Sequence, residues 1–553
     1  MKNHKTLIWC TLGALVLSCL SVSCRKSFQS IIKDAEGATF TVYTYDEYGS
    51  PSGSGSGFFI EPDGTAVTNF HVLDGSVKAL IRTSDGAEYQ IDSVLCASKR
   101  KDLLLFKVNN KSNVAFPTLK IAPKVPAKGD KVYNIGAPMG LETSVSDGIV
   151  ASIRTDSHGD IVQTTAPISP GSSGSPMLND RGEVFAVATF KRKGAENVNF
   201  GVIINSDFRK DLDKREFGKR NPKFNSKKSD FVLLNILPDK GSDIMLNAIE
   251  FGTTATTLYM TFTNMHLADG WVIWCELGKK DEGFFIEDRD SHQRYYVTSS
   301  SLAEDKEHSK SLGFAEVVRF KVHFPVIKNR LSNIDVMWGE NERTAHFTDI
   351  DLDNYRNNLS VDQLGYQRAY ALNCSTEGGD FITSISILND ILEEYPSDVI
   401  SLNMMAVLSY VLHNNADALY YLSEAIENNP NDELAFLNRA YMYRSAGSYS
   451  EAISDMTSAI NLCPLQPDYY YYRAYDYYLL KDYNNALTDI NKCLDVSTAE
   501  DGFTSSPYVY ELRAYVNYYL GKNKDAQNDV RRAYKLSSDK ELDQRLQNFY
   551  SIL

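Results

Sequence analysis

The sequence lacks the cysteine and histidine clusters of metal sites. Its eight cysteines include no Cys-x-x-Cys pair, and its nine histidines are dispersed along the chain. Five cysteines lie beyond the signal-like N-terminus, an odd number scattered over three regions: Cys96, Cys275, Cys374, Cys463 and Cys493. Zinc sites and disulfide frameworks need such residues at short, regular spacings. We therefore expect no metal, no cofactor and no disulfide framework.

Positive charge is scarce in the C-terminal third. Residues 361–553 contain 14 Lys and Arg against 27 Asp and Glu, a net charge of −13 (14 − 27). Residues 25–215 are near neutral, with 23 basic against 22 acidic residues. Proteins that bind nucleic acid place Lys and Arg against the phosphates. This charge balance argues against nucleic acid as a partner of the C-terminal third.

A long transmembrane run is also missing. The apolar stretch Leu7–Leu17 follows a basic start and is short for a spanning helix of about 20 residues. Small residues and a cysteine follow, so residues 1–24 resemble a bacterial lipoprotein signal, with Cys24 or Cys19 as the lipidated residue. Cys24 is favoured because a polar stretch follows it directly. A plain cleaved signal and a short anchor are the alternatives. We expect an exported protein, lipid-anchored in the periplasm or at the outer membrane.

At 553 residues the chain is too long for one core, and its patterning changes along its length. Residues 25–216 contain many short apolar runs separated by Gly, Asp, Pro and Ser, which predicts an all-β barrel or sandwich. The charged stretch 217–230 is expected to be a linker. Residues 231–355 return to strand patterning and predict a small β-sandwich, whose role the sequence does not indicate.

Residues 361–553 contain an internal repeat. Pro396, Pro430 and Pro464 are each 34 residues apart (430 − 396 and 464 − 430). Small residues recur at three repeat positions: Ala406, Ala440, Ala474 and Ala514; Ala418, Ala452, Ala486 and Ala526; Ala425, Ala459, Cys493 and Ala533. This period and pattern are similar to tetratricopeptide repeats, which predicts an all-α solenoid with a concave binding face. We expect a protein partner there. Of the 33 tyrosines, 24 lie in this region; most are expected to be core residues, and a tyrosine-lined peptide groove is the minority hypothesis.

One short stretch, "PGSSGSP" around Ser173, raises the question of a nucleophile. A nucleophilic serine needs a base, a group that orients the base and N–H donors for the oxyanion. Upstream, His71 follows the apolar run "TAVTNF", and Asp102 precedes the apolar run "LLLFKV". The order His, Asp, Ser is that of chymotrypsin. We therefore predict a triad of His71, Asp102 and Ser173.

Four collinear blocks carry a wider resemblance: "GSGFFIEPDGTAVTNFHVLDG", "RTSDGAEYQIDSVLCASKRKDLLLFKV", "NIGAPMGLETSVSDGIVASI" and "IVQTTAPISPGSSGSPMLNDRGEVFAVAT". Over about residues 38–215 the chain resembles the chymotrypsin-fold proteases of the HtrA (DegP-like) type. The resemblance implies a double β-barrel in which Ser173 attacks the scissile carbonyl, His71 acts as general base and then acid, and Asp102 orients the imidazole. It also implies an oxyanion hole formed by the N–H groups of Gly171 and Ser173.

The resemblance places the specificity pocket as well. Ile168 would line its base and the strand containing Ala188, Thr189 and Phe190 its wall, where the substrate backbone would add as a strand. No acid lies at these positions, so we expect protein or peptide substrates with small or medium apolar side chains before the scissile bond. Ser175 departs from the family pattern by replacing a glycine, and no PDZ domain follows the barrels.

The sequence thus predicts a cell-envelope serine endopeptidase whose repeats recruit protein substrates or partners. The alternative from a different class is a lipid-anchored protein-binding scaffold with a latent or vestigial protease domain.

Overall fold

A computed structural model describes most of the chain. The described residues are 27–110, 114–136, 144–156, 159–168, 171–191, 199–225, 229–239, 244–267, 271–273, 275, 277–278, 283–303, 310–312, 316–328, 330–339, 345–357, 363–377, 380–497, 504, 506–537 and 539–552. Cys19, Cys24 and Ser169 lie outside them. Within the described residues no helix combines the length and the apolar content needed to cross a membrane.

The first strands close into a six-stranded barrel. Each strand alternates with Gly, Asp and Ser turns, and the inward side chains form a buried cluster that includes Phe40, Phe59 and Phe106. The strands are β1 Thr39–Tyr45, β2 Pro51–Phe59, β3 Thr65–Thr68, β4 Lys78–Thr83, β5 Glu88–Ser98 and β6 Leu103–Val108. Their order around the barrel is β1-β2-β3-β6-β5-β4.

A second closed barrel follows, with its own core around Val132, Val150 and Phe185. Its strands are β7 Lys131–Gly136, β8 Ser144–Asp156, β9 Gly159–Thr164, β10 Pro176–Leu178, β11 Val184–Lys191 and β12 Asn199–Ile203, in the order β10-β11-β12-β9-β8-β7. The two barrels confirm the predicted chymotrypsin-like architecture. Between them lies a further apolar cluster that also takes in helix α1, Phe28–Ala38, through Ile31 and Ala35.

The chain after the second barrel differs from the expected linker over 217–230. Helix α3, Glu216–Arg220, covers the first barrel, with helix α2, Phe70–Leu73, beneath it. Phe217 is 3% exposed, and its ring lies 5.8 Å from that of Phe70. Asn221 accepts a hydrogen bond from the Gly75 N–H at 2.7 Å. The stretch is charged, but its apolar residues bury against the barrel, so its first part belongs to the folded body.

The middle region contains two facing sheets and a short ribbon. Rings of the two sheets meet where Phe320 approaches Phe284 and Trp338, at 6.4 and 6.3 Å. The strands are β13 Asp230–Ile236, β14 Ile244–Phe251, β15 Thr256–Thr263, β16 Trp271–Ile273, β17 Phe284–Asp288, β18 Gln293–Tyr296, β19 Ser299–Ser300, β20 Lys310–Leu312, β21 Val317–Phe324, β22 Asn333–Trp338 and β23 His346–Asp351. The sheet orders are β13-β14-β15-β21-β19, β16-β20 and β18-β17-β22-β23.

The C-terminal region is all helical. After a short helix α4, Leu352–Asn357, come five consecutive helix pairs and one further helix among the described residues: α5 Gln363–Glu377, α6 Phe381–Glu394, α7 Val399–Val411, α8 Asn415–Asn428, α9 Glu433–Ser445, α10 Tyr449–Leu462, α11 Pro467–Leu479, α12 Tyr483–Val496, α13 Pro507–Tyr519, α14 Asn523–Leu536 and α15 Lys540–Tyr550. All twelve small residues at the predicted repeat positions are buried. The arrangement is consistent with a repeat solenoid.

An ion-pair ladder repeats along these helices. In successive pairs Arg439 bonds Asp455, Arg473 bonds Asp489 and Arg513 bonds Asp529, each through two guanidinium nitrogens. The third nitrogen of each arginine reaches the preceding pair at Ser423, Thr457 and Asn491, respectively. These acceptors are themselves 34 residues apart (457 − 423 and 491 − 457). The ladder therefore joins neighbouring repeats.

The sheets and the helices share one compact unit. The chain divides into Met1–Leu233 with Asp353–Gln363, and Leu234–Leu352 with Leu364–Leu553. In the second unit the buried Asn438 accepts from the Leu267 N–H and donates to the Met265 carbonyl, both at 2.9 Å. Leu267 joins the core cluster of α7 and α9. The middle β region therefore packs directly on the first repeats.

Candidate active site

His71 and Asp102 form a hydrogen-bonded pair on the first barrel. His71 lies in α2, just after β3, so it is on a helix and not at the strand end suggested by "TAVTNF". Its Nδ1 is 2.8 Å from Asp102 Oδ2, and its backbone N–H donates to Asp102 Oδ1 at 3.0 Å. Asp102 directly precedes β6, as predicted, with a φ of 50°. The Asn69 amide donates to the Asp102 carbonyl at 2.8 Å and holds this turn.

The Asp102 carboxyl is kept ionised by its partners. Burial opposes ionisation, since only 14% of the side chain is exposed. Hydrogen bonds from the His71 imidazole and the Thr189 hydroxyl outweigh burial and lower the pKa of Asp102 below its ordinary value. An ionised carboxylate only accepts hydrogen bonds, so the imidazole proton lies on Nδ1. His71 Nε2 is thereby the nitrogen left to accept a proton.

Ser173 lies in a turn of the second barrel that is held by the first. The N–H of Ser56, in β2, donates to the Ser173 carbonyl at 2.7 Å, and its hydroxyl donates to the Gly171 carbonyl at 2.8 Å. Gly171 and Gly174 have φ values of 87° and 92°, which favour glycine. Ser175 is fully buried, and its hydroxyl bonds Asn134 at 2.8 Å, so the extra Cβ is accommodated.

The Ser173 hydroxyl points to Thr189. Its Oγ donates to the Thr189 carbonyl at 3.2 Å, and among the described residues no hydrogen bond joins it to His71. The N–H groups of Gly171 and Ser173, predicted to form the oxyanion hole, donate to no acceptor in the described part of the chain. In the predicted site these two N–H groups would stabilise a tetrahedral oxyanion.

The residues predicted to line the specificity pocket do not share one location in the structure. Ile168 and Ala188 are buried in the core cluster of the second barrel. Thr189 lies at a bulge in the β11 pairing, and its hydroxyl donates to Asp102 Oδ2, so its side chain is directed to the His71–Asp102 pair. The backbone of Phe190 pairs with Phe200 in β12.

Three residues that build this site were not predicted, and a fourth, Thr189, was predicted only as part of the pocket wall. Ser56 and Thr68 hold the turn that contains Ser173, Asn69 holds the Asp102 turn, and Thr189 binds the Asp102 carboxylate. Thr68 contributes through its hydroxyl, which donates to the Ser56 carbonyl at 2.7 Å. Small polar residues in Gly-rich and apolar strands give no separate signal, because the same residues serve as ordinary strand positions elsewhere.

The chain is similar to known peptidases over part of the two barrels. Residues 55–187 match the family model of the trypsin-like peptidase domain. A "Probable periplasmic serine endoprotease DegP-like" of Pseudomonas savastanoi is 37% identical over 147 residues, 25% of this chain and 30% of the relative. A "Putative serine protease HhoA" of Synechocystis is 32% identical over 162 residues, 28% of this chain and 41% of the relative. The chain thus spans less than half the length of these relatives.

A solved structure was also found. It is titled "Crystal structure of the serine endoprotease from Yersinia pestis" and aligns at 21% identity and a TM-score of 0.30, covering 40% of this chain and 74% of that chain.

Proposed function

We propose that this protein is a serine endopeptidase of the cell envelope. The observation that carries the proposal is the His71–Asp102 pair, whose Nδ1 and Oδ2 atoms lie 2.8 Å apart, next to the turn that presents Ser173. Matches to a peptidase family model and to serine endoproteases support it. Protein or peptide chains are the proposed substrates, with the substrate strand lying along β11 near Ala188, Thr189 and Phe190.

The residues divide the chemistry among them. His71 Nε2 takes the Ser173 proton as Oγ bonds to the scissile carbonyl carbon, and the carbonyl electron pair moves onto oxygen, where the Gly171 and Ser173 N–H groups receive it. Asp102 stabilises the imidazolium. His71 then donates the proton to the leaving amine, and water repeats the sequence to release the acyl group. Losing one oxyanion donor typically costs about 2.7–4 kcal/mol of transition-state stabilisation.

A fluorophosphonate probe tests the nucleophile. Purified mature protein is expected to be labelled, whereas Ser173→Ala and His71→Ala are not, because labelling needs an activated hydroxyl. Ser172→Ala is the matched control, since it removes the neighbouring hydroxyl of the same turn, and it should label as wild type. A folded wild type that is not labelled would contradict the proposal and favour the scaffold with a latent protease domain.

Export and lipid anchoring form the second part of the proposal. The basic start, the apolar run and the small residues before Cys24 support it, as do relatives named periplasmic. Metabolic labelling with a palmitate analogue is expected to mark wild type and Cys19→Ala but not Cys24→Ala. Labelling that is lost in Cys19→Ala and kept in Cys24→Ala would move the anchor to Cys19.

The repeats are proposed to recruit protein partners or substrates. Tyr475 and Tyr519 are 39% and 53% exposed, and their rings lie 6.3 and 6.2 Å from that of Tyr478, which makes a rigid aromatic surface. Replacing Tyr475 and Tyr519 by Ser should slow cleavage of a protein substrate and leave hydrolysis of a small peptide ester unchanged. Equal losses on both substrates would contradict recruitment by this surface.

A further inference from the structure

The first helix ties the N-terminus of the described chain firmly to the protease barrels. The Ser27 side chain accepts from the Ser30 N–H at 3.2 Å and so caps α1. Ile31 and Ala35 are 4% and 0% exposed in the cluster between the barrels. Because α1 is part of the core, the body of the domain starts at Phe28, only four positions after Cys24.

An apolar surface lies beside the start of α1. The exposed ring of Phe28 packs at 4.8 Å on that of Tyr133 in β7. Tyr133 pairs with Asp147 in β8, and Val145 and Ile149 flank Asp147 on the same face, because strand side chains alternate with a period of two. We call Phe28, Tyr133, Val145 and Ile149 the α1-side patch.

Three of the four residues of the α1-side patch are exposed to solvent. Phe28, Val145 and Ile149 are 48%, 39% and 42% exposed, an unusual grouping of large apolar side chains on one face. Lys131 pairs directly with Ile149 and is exposed, as is Asp147. Two more basic residues, Arg25 and Lys26, precede the helix in the sequence.

The few residues between the proposed lipid on Cys24 and helix α1 limit how far the α1-side patch can be from the membrane. Four residue steps separate Cys24 from Phe28, and a fully extended chain covers at most about 3.3–3.6 Å per residue. The start of α1 therefore lies within about 14 Å of an acylated Cys24, which is about twice the depth of one headgroup layer, about 5–8 Å. A longer tether would let the domain move further from the bilayer, whereas this one keeps the start of α1 within that distance of the lipid.

We infer that the α1-side patch contacts the phospholipid surface directly, as a second membrane contact beside the lipid anchor. The inference rests on the proposed acylation at Cys24. Phe28, Val145 and Ile149 would enter the boundary between headgroups and acyl chains, as the apolar faces of interfacial segments do. Lys131 would meet lipid phosphates.

Brominated lipids test this contact in the full acylated chain. The mature protein has three tryptophans, Trp271, Trp274 and Trp338, whose emission in wild type gives the background. Ile149→Trp adds a fluorophore to the patch. In vesicles of phosphatidylethanolamine and phosphatidylglycerol with brominated acyl chains, the emission added by Ile149→Trp should be quenched several-fold. Leu95→Trp, at an exposed position of β5 in the first barrel, should add emission that is not quenched.

Mass spectrometry of the same samples shows whether Cys24 carries the acyl group, and so distinguishes a failure of the lipid anchor from a failure of the membrane contact. Acylated protein whose Ile149→Trp emission is no more quenched than that of Leu95→Trp would overturn the membrane contact and leave the anchor intact. A chain without the acyl group at Cys24 would overturn the anchor and, with it, the inference. Ile149→Trp combined with Cys24→Ala is the matched control, and its quenching should fall sharply because the chain is no longer held at the vesicle.

Discussion

The hydroxyl of Ser173 donates to the backbone carbonyl of Thr189, with the two oxygens 3.2 Å apart. That carbonyl lies at a bulge of β11, the strand along which the substrate is proposed to add. The proton acceptor proposed for catalysis, His71 Nε2, is therefore not the acceptor of the hydroxyl in this structure. A substrate N–H that bonds the Thr189 carbonyl would replace the Ser173 hydroxyl there and free it for His71.

This competition predicts that a peptide backbone accelerates attack. A peptidyl phosphonate should label Ser173 faster than the same compound methylated at the nitrogen that faces Thr189, because methylation removes the donor. One hydrogen bond is worth about 0.5–1.5 kcal/mol, so a rate up to about tenfold lower is expected. Labelling rates at subsaturating reagent measure it. Equal rates for the two reagents, with Ser173→Ala unlabelled, would contradict the competition.

The Thr189 hydroxyl is expected to increase the reactivity of Ser173 through its hydrogen bond to Asp102. Thr189→Val keeps the shape of the side chain but removes the donor to Asp102, and a hydrogen bond to a charged group contributes about 1.5–3 kcal/mol. We expect the second-order labelling rate to fall about tenfold or more. Thr189→Ser retains the hydroxyl and should restore most of the rate. The pH dependence of labelling should shift in Thr189→Val but not in Thr189→Ser, which a purely structural role would not produce.

The sequence could propose His71, Asp102 and Ser173 as a triad because each of them sits beside a recognisable local pattern. His71 follows a strand, Asp102 precedes one, and Ser173 lies between glycines with positive φ, where local sequence and tertiary position agree. The role of Thr189 was not predictable in this way. Whether a strand threonine faces a pocket or a carboxylate depends on a bulge in β11, and no residue pattern marks that bulge.

The same contrast holds outside the active site. The 34-residue spacing of small residues predicted the helix pairs, because close helix packing requires small residues at fixed positions. The charge of residues 217–230 suggested a linker, yet Phe217 and Asn221 bind the first barrel. Tertiary burial of one aromatic ring outweighs the average polarity of a segment. Likewise, nothing in the sequence links Asn438 to residues 265–267, more than 170 positions away.

Gly174 is expected to be irreplaceable in the nucleophile turn. A Cβ at this position would lie 2.0 Å from the Ser56 carbonyl oxygen and 2.4 Å from Thr68 Oγ1, and φ is 92°. Gly174→Ala should abolish fluorophosphonate labelling because the turn cannot keep its contact with β2. Gly75→Ala is the matched control: φ is 87°, but nothing lies within 4 Å of the added Cβ. It should cost only about 1–2 kcal/mol of stability and keep labelling.

The low pKa of Asp102 predicts a pH-dependent contribution to stability. A carboxyl whose pKa is depressed in the folded state stabilises the fold above its unfolded pKa of about 3.9, and this contribution is lost as pH falls through the lower folded value. At neutral pH, Asp102→Asn should therefore have a lower free energy of unfolding than wild type. The difference should shrink as the pH approaches and passes below about 4. A difference that stays constant across this range in urea titrations would contradict the assignment.

The arginine ladder predicts an asymmetric response of the repeats to substitution. Asp489 is buried and holds Arg473 through two hydrogen bonds of 2.7 and 2.9 Å. Asp489→Ala leaves a guanidinium largely removed from water without its partner, which typically costs about 3–5 kcal/mol.

One repeat earlier than Arg439 and Asp455, the chain has Met405 and Tyr421 in place of the ion pair. Replacing Arg473 by Met together with Asp489 by Tyr places the same two residue types at this pair. The double variant should lose less stability than Asp489→Ala alone, because no charge is left unpaired. Hydrogen exchange of α11 and α12 measures the local effect, and a double variant as unstable as the single one would show that the ladder stabilises the repeats by more than pairing its own charges.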